Sequence, residues 1–152
     1  MRTGIRFGID VGKARIGVAR SDMHGMLASP VATLDRASDW KQKLVSLIAD
    51  GAPLEIYVGY PLNLKGEHTA STDDAVSVAR EIADMTDVSV RLVDERLTTN
   101  AAHQQLHSSG KKQHQTRSVV DQVAAVMLVQ HALDYESNTG KVPGTPIADM
   151  EE

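Results

Sequence analysis

Three acidic residues, Asp10, Glu95 and Asp121, occupy positions where carboxylates could do chemistry. Asp10 and Glu95 follow short apolar runs typical of buried strands, and Asp121 lies in an apolar segment typical of a helix. Convergent carboxylates repel one another unless cations lie among them. Such oxygen ligands suit Mg²⁺ or Mn²⁺, and two of these ions about 3.5 to 4 Å apart can activate water and stabilise the leaving oxygen of a phosphodiester. The three acids therefore indicate a divalent-metal site.

Each acid also has a purely structural interpretation. Asp10 begins an Asp-x-Gly sequence, in which an Asx hydrogen bond would satisfy the carboxylate. Asp121 ends the sequence Ser118-Val119-Val120-Asp121, which fits a helix capping box. Glu95 fits a solvated strand exit. The metal interpretation depends on all three acids converging.

Composition predicts a single globular domain. The chain has 152 residues, of which 41% are hydrophobic and 24% are charged. It has no cysteine, so a metal would need oxygen or imidazole ligands. No segment has the length and apolarity of a membrane span or of a signal peptide, so the cytoplasm is the expected location.

Charge is distributed unevenly along the chain. The net charge is 16 minus 20, or −4, but five acids and one base lie from Asp134 onward, so residues 1–133 are neutral. Residues 137–152 combine terminal acids with glycine and proline and show no apolar periodicity. We therefore expect a domain over 1–136 and a disordered or loosely attached acidic tail over 137–152.

Hydrophobic periodicity predicts an α/β domain. Three antiparallel strands end with Ala28–Leu34, and two further strands cover Leu54–Gly59 and Val88–Val93. Helices are expected from Ser38 or Asp39 to Gly51, from Thr69 or Ser71 to Met85, from Thr98 or Thr99 to Ser109, and from Ser118 onward, with a basic loop over Gly110–Thr116.

Crossover connections should place the last two strands parallel to the first. The expected result is one mixed five-stranded sheet with helices on its faces. The carboxyl ends of parallel strands line the ligand crevice of such a sheet, and Asp10 and Glu95 lie at those ends.

Four motifs in this order resemble the YqgF family, whose members are described as pre-16S rRNA nucleases and as Holliday junction resolvase-like proteins with an RNase H-like fold. They are Gly8-Ile9-Asp10-Val11-Gly12, Val58-Gly59-Tyr60-Pro61-Leu62-Asn63, Val93-Asp94-Glu95-Arg96-Leu97-Thr98-Thr99 and Asp121-Gln122-Val123-Ala124-Ala125. The resemblance covers residues 4 to about 135.

The resemblance implies that Asp10, Glu95 and Asp121 form the family's acidic triad, which would hold Mg²⁺ or Mn²⁺. The implied substrate is nucleic acid, either the 5′ end of pre-16S rRNA or branched DNA. Basic residues at positions of the family pattern are expected to contact phosphates, namely Arg15, Arg96 and Arg117. The basic loop adds Lys111 and Lys112 as residues that could guide a polyanion to an otherwise neutral domain.

Two other classes of protein fit parts of the pattern. An Asp-x-Gly hairpin also resembles the phosphate-binding hairpin of actin-like ATPases and sugar kinases, although those proteins have two such domains. A catalytically silent adaptor that binds RNA or ribosome-assembly factors would fit the same fold. Nucleotide binding would identify the first class, and metal-dependent cleavage would exclude the second.

Overall fold

A computed structural model describes residues 1–94 and 113–150, and over 113–121 it describes the backbone alone. The elements in chain order are β1 (Arg6–Val11), β2 (Arg15–Ser21), β3 (Ala28–Asp35), α1 (Trp40–Gly51), β4 (Glu55–Tyr60), α2 (Ala70–Met85), β5 (Ser89–Asp94), α3 (Gln113–Thr139), β6 (Thr145–Pro146) and a 3₁₀ helix (Ile147–Asp149). The α/β class predicted from the sequence is confirmed.

These strands form one mixed sheet in the order β3-β2-β1-β4-β5-β6. β1, β2 and β3 are antiparallel neighbours, and β4 and β5 run parallel to β1, as predicted. The described sheet has six strands rather than the expected five because β6 pairs with β5. β3 lies at one edge, which is the position that Pro30 predicts because proline lacks a ladder donor.

Alternation along β1 assigns the helices to the two faces of the sheet. Phe7 and Ile9 belong to the main buried cluster, together with residues of α1 and α2. Between them, a Cβ atom at Gly8 would lie 2.4 Å from Cγ2 of Val129 in α3. Because successive strand residues point to opposite faces, the even-numbered residues of β1, Asp10 included, face α3.

The predicted start of α2 is confirmed. Thr69 precedes the helix in extended backbone conformation and forms a capping box with Thr72. The Thr72 hydroxyl also donates a hydrogen bond to the carbonyl of Pro61, which ties the helix start to the end of β4. The loop between β4 and α2 is therefore fixed at both ends.

The segment after α3 differs from the predicted disordered tail. Thr145 and Pro146 pair with Leu92 and Arg91 of β5, and Ile147 is buried in the main core. The Arg91 guanidinium donates hydrogen bonds to the carbonyls of Pro143 and Gly144, at 2.6 and 2.7 Å. The sequence does not predict this docking because backbone carbonyls and a two-residue strand leave no periodic pattern.

α3 begins earlier than predicted, at Gln113 rather than Ser118. Part of the expected basic loop is therefore helical, and Asp121 is the ninth residue of the helix. The capping-box interpretation of Asp121 is wrong for this reason. The predicted helix from Thr98 or Thr99 to Ser109 lies outside the described residues. Within the described ranges, no helix is both long and apolar enough to cross a lipid bilayer.

A buried ion network holds the carboxyl half of α3 against the start of β1. The Glu136 carboxylate accepts hydrogen bonds from Arg6 at 2.9 Å and from Arg2 at 2.6 Å, and Arg2 also pairs with Glu55 at 2.9 Å. Burial alone would raise the pKa of Glu136, but the hydrogen bonds from Arg2 and the charges of Arg2 and Arg6 outweigh burial and hold it at about 2. Glu136 is therefore ionised inside the protein.

Candidate active site

Asp10 is the central residue of the candidate site. It is the penultimate residue of β1, and only 8% of its surface is exposed. Asp10 is paired with Gly17 of β2, and the pairing of β1 with β4 extends to Ile9, the residue before it. A carboxylate held at the carboxyl end of a central parallel strand is positioned to meet a ligand in the crevice at that edge.

A transverse row of residues links Asp10 to α3. Asp10 is paired with Gly17 on β2, and Gly17 is paired with Thr33 on β3. The Gln122 side chain of α3 donates a hydrogen bond to the Thr33 hydroxyl at 2.8 Å. Gly17 contributes no side chain between Asp10 and Thr33. The helix therefore crosses the sheet at the level of Asp10.

Contacts along α3 define its direction relative to β1. Glu136 bonds Arg6, and Ala125 and Val129 lie against Gly8 two residues further along β1. α3 therefore runs in the direction opposite to β1, and its amino end lies on the side of Asp10. The next helical turn contains residues 121 and 122, so the backbone of Asp121 lies at the Asp10 level. Its side chain lies outside the described atoms.

β5 ends at the same edge of the sheet. Its last residue, Asp94, is exposed and is paired with Tyr60 of β4. Glu95 is the next residue in the chain and lies outside the described residues. The described part therefore confirms the strand end expected before Glu95 but gives no position for its carboxylate.

Arg15 is the one predicted phosphate-binding residue whose side chain is described. It is half-buried at the start of β2, opposite Asp35, and its carbonyl accepts a hydrogen bond from the Gly12 amide at 2.8 Å. Arg96, Lys111 and Lys112 lie outside the described residues. For Arg117 the helical backbone alone is described.

The end of β4 and the loop after it bring together a pair of side chains that the sequence does not predict. The Tyr60 hydroxyl and Nε2 of His68 are hydrogen-bonded, and the two rings meet edge-on with centroids 5.4 Å apart. The side-chain Oδ1 atom of Asn63 accepts hydrogen bonds from the backbone amides of Lys65 and Glu67, both at 2.9 Å. Asn63 and Gly66 are turn formers, so the turn was predictable, whereas the contact between Tyr60 and His68 was not.

Of the three predicted metal ligands, the structure describes the side chain of Asp10. Asp10 offers carboxylate oxygens in a largely buried position, and oxygen ligands suit Mg²⁺ and Mn²⁺. Among the side chains that the structure describes, no three acids or imidazoles come together. The other two members of the predicted set, Glu95 and Asp121, are outside that group.

The sequence matches a known family over most of its length. The model of the Holliday junction resolvase family RuvX matches residues 4–135. The chain belongs to the RuvX family.

RuvX relatives from several bacteria are named, provisionally, as pre-16S rRNA nucleases. The relative from Leifsonia xyli is 50% identical over 149 residues, which cover 97% of this chain and 96% of the relative. The relative from Streptomyces coelicolor is 44% identical over 147 residues, which cover 95% of this chain and 88% of the relative. As a RuvX protein, the chain is a nuclease, a hydrolase that acts on phosphodiester bonds, and the family implies dependence on a divalent metal. This result does not support the ATPase alternative.

The fold of this RuvX chain is also that of RuvC. RuvC of T. thermophilus in complex with a Holliday junction substrate matches with a TM-score of 0.58 and 14% identity over 93% of this chain and 98% of RuvC. A second structure of Thermus thermophilus RuvC matches with a TM-score of 0.54. These matches confirm the expected RNase H-like fold.

Proposed function

We propose that this chain cleaves phosphodiester bonds of precursor 16S rRNA during maturation of its 5′ end. The observation that carries the proposal is the buried Asp10, fixed at the carboxyl end of β1 and level with the turn of α3 that bears Asp121. The names of the RuvX relatives supply the RNA as substrate. A role in rRNA processing also implies the cytoplasm as the place of action.

Asp10, Glu95 and Asp121 would hold the divalent cation, with Mg²⁺ or Mn²⁺ as the expected ion. The bound ion would supply an activated water and stabilise the leaving oxygen. The contribution of the chain is rigidity. Asp10 is paired with Gly17 of β2, and the residue before it, Ile9, is paired with Val58 of β4. Gln122 fixes α3 to Thr33 in the same row.

Substrate binding is assigned to basic residues around this edge. Arg15 lies at the start of β2, five residues after Asp10. We include Arg96, Arg117, Lys111 and Lys112 in the proposal because a domain without excess positive charge needs local cations to attract a polyanion. These contacts would go to phosphates and would not select a base sequence.

Cleavage of two substrates, measured side by side, tests the proposal. A precursor 16S rRNA fragment and a four-way DNA junction are incubated with the protein in Mg²⁺ and in Mn²⁺. We expect metal-dependent cleavage of the RNA, and loss of cleavage in Asp10→Asn. Asp39→Asn is the matched control, because Asp39 is exposed and makes no side-chain capping bond.

Each other outcome has a definite meaning. Cleavage of the junction alone would replace the RNA by branched DNA as substrate. Binding of the RNA without cleavage in either metal would support the adaptor alternative. Unimpaired cleavage by Asp10→Asn would contradict the site itself.

Metal binding can be measured without cleavage. A cation that binds only the folded state stabilises it by RT ln(1 + L/Kd), where L is the concentration of the free cation, so the melting temperature rises with that concentration. We expect Mn²⁺ to raise the melting temperature of the unaltered protein and of Asp39→Asn, and to leave that of Asp10→Asn nearly unchanged. An equal rise in all three proteins would contradict the assignment of Asp10 as a ligand.

A further inference from the structure

Arg36, in the turn after β3, makes contacts that neither the sequence motifs nor the proposed function assign. Its Nη1 atom donates hydrogen bonds to the Gly12 carbonyl at 2.9 Å and to Oδ2 of Asp74 at 2.7 Å. Its Nη2 atom donates to Oδ1 of Asp74 at 2.9 Å. Its backbone amide donates to the Ala14 carbonyl at 2.9 Å. Arg36 therefore contacts the turn between β1 and β2 twice.

These contacts join two connections and the start of α2, at the end of the sheet where Asp10 lies. Gly12 and Ala14 belong to the turn that follows Asp10, and Arg36 belongs to the connection between β3 and α1. Asp74 lies in the first turns of α2, whose start is fixed to the end of β4 through Thr72 and Pro61. One guanidinium thus ties the hairpin of β1 and β2 to the helix that follows β4.

The geometry suits arginine alone among the basic residues. A guanidinium is planar and offers several donors, so it can bind a carboxylate with two parallel hydrogen bonds and still reach a carbonyl. Hydrogen bonding to Arg36 lowers the pKa of Asp74, and hydrogen bonding to Asp74 raises the pKa of Arg36. The charge of Arg36 is therefore paired within the protein, and the remaining hydrogen bond of its guanidinium goes to the Gly12 carbonyl of the hairpin.

We propose that Arg36 is a positioning residue, which fixes the hairpin beside Asp10 in the geometry needed for phosphodiester cleavage. The proposal rests on the proposed function, because the reaction that it assists is cleavage at the Asp10 site. A shift of about 1 Å at a reacting centre can cost a factor of about 100 in rate. Loss of the bond to Gly12 should therefore affect the chemical step more than substrate affinity.

Single-turnover cleavage of the precursor rRNA fragment tests this proposal. We expect Arg36→Met to lower the rate constant at saturating substrate by about tenfold or more and to change substrate affinity by a smaller factor. Arg36→Lys should recover little of the rate, because an ammonium group cannot make the planar set of bonds. The rate constant of Asp74→Asn should lie between those of the unaltered protein and Arg36→Met, because this variant keeps the arginine that donates to Gly12.

Lys41→Met is the matched control, because Lys41 forms an exposed ion pair with Glu81 at 3.1 Å and makes no contact with the hairpin in the described structure. All rates are measured below the lowest melting temperature of the set. A loss of affinity with an unchanged rate constant would make Arg36 a phosphate contact and overturn the proposal. An unchanged rate constant and affinity would also overturn it.

Hydrogen exchange separates this proposal from the proposed function. The Gly12 amide is bonded to the Arg15 carbonyl, so its exchange reports on the hairpin without any substrate. Arg36→Met should increase exchange over residues 12–15, and Lys41→Met should not. If the unaltered protein cleaves neither substrate but Arg36→Met still increases exchange, the result would support the holding role and refute the proposed function. Unchanged exchange would overturn the holding role whatever the activity.

Discussion

The Arg6 guanidinium and the Glu136 carboxylate lie 130 residues apart in sequence and 2.9 Å apart in space. Neither side chain is exposed by more than 3%. The contact joins the first residue of β1 to the carboxyl half of α3, and Gly8 and Gln122 continue the same interface toward Asp10. The position of α3 over the site is therefore set by contacts along its length.

Replacing Glu136 should expose the pH dependence of this interface. Its pKa is about 2 in the folded protein against an ordinary value of 4.5, so its contribution to stability is present above pH 4.5 and is lost as the pH falls to about 2. Glu136→Gln should lower the free energy of unfolding at pH 7 by about 3 kcal/mol, because Arg6 stays buried without its partner charge. Urea denaturation at pH 7 and at pH 3 measures both effects.

The control for that prediction is Glu81→Gln. Glu81 also pairs with a cation, Lys41, but both side chains are about half exposed. Surface pairs contribute little to stability, so this variant should resemble the unaltered protein at both pH values. Equal losses in the two variants would contradict the assignment of a special role to the buried pair.

Gly8→Ala should disturb the spacing between β1 and α3. The added Cβ would lie 2.4 Å from Cγ2 of Val129 and 3.0 Å from the Ala125 carbonyl oxygen, so the helix or the strand must move. We expect a loss of about 1 to 3 kcal/mol in the free energy of unfolding. Cleavage should fall more than the folded fraction does, because the movement separates Asp10 from the turn that carries Asp121. Denaturant titration measures the free energy of unfolding, and single-turnover kinetics measure the cleavage rate.

A second substitution provides the control for Gly8→Ala. Val129→Ala removes the methyl group that the new Cβ would meet, so the double variant should recover part of the rate. Recovery would be incomplete because the Ala125 carbonyl remains. A double variant that is slower than Gly8→Ala would show that the close contact is not the cause.

Ile147→Ala should destabilise the protein although residue 147 lies in the segment expected to be a disordered tail. Ile147 is 7% exposed and packs into the main core, so we expect a loss of about 2 kcal/mol. Val142→Ala is the control, since Val142 is 38% exposed. Thermal melting of both variants measures the difference, and identical melting temperatures would favour the loosely attached tail.

Replacing Lys111, Lys112 and Arg117 together by Ala should weaken binding to different RNA sequences by similar factors. Each lost phosphate contact should reduce the slope of log affinity against log salt by up to about 0.7 on single strands. Binding is measured in the Asp10→Asn background across a salt series. Triple replacement of Lys41, Lys43 and Lys141 removes the same charge elsewhere. If the two triple variants bind alike, the phosphate contacts must be sought at Arg15 and Arg96.

The sequence predicted most of the fold because its main elements carry regular apolar patterns. The alternation in β1 and β2, the buried runs of β4 and β5, and the apolar face of α2 all correspond to observed elements. The start of α3 was missed because Gln113–Arg117 has no apolar residue to show a helical period. The burial of Arg6 was missed because its partner Glu136 is distant in sequence and charged residues usually lie at the surface.

The position of Asp10 was predictable because an acid at the end of an apolar strand is unusual. The contacts of Arg36 and Gln122 were not predictable, because each residue bonds a partner that only the tertiary fold brings near. Arg36 lies in a turn, where a basic residue is ordinarily solvated. Gln122 was present in a family motif, but its hydrogen bond to Thr33 depends on where α3 crosses the sheet.

Pro30 has a consequence for how the protein behaves at high concentration. In the described structure β3 is paired on one side only, and its outer edge is open to a strand from another molecule. Proline removes one donor from this strand, and the register shift at Val18 and Ala19 makes its pairing with β2 irregular. At the opposite edge, β6 has two residues. Both borders of the sheet are therefore poor templates for strand addition between molecules, which protects the chain from edge-to-edge aggregation.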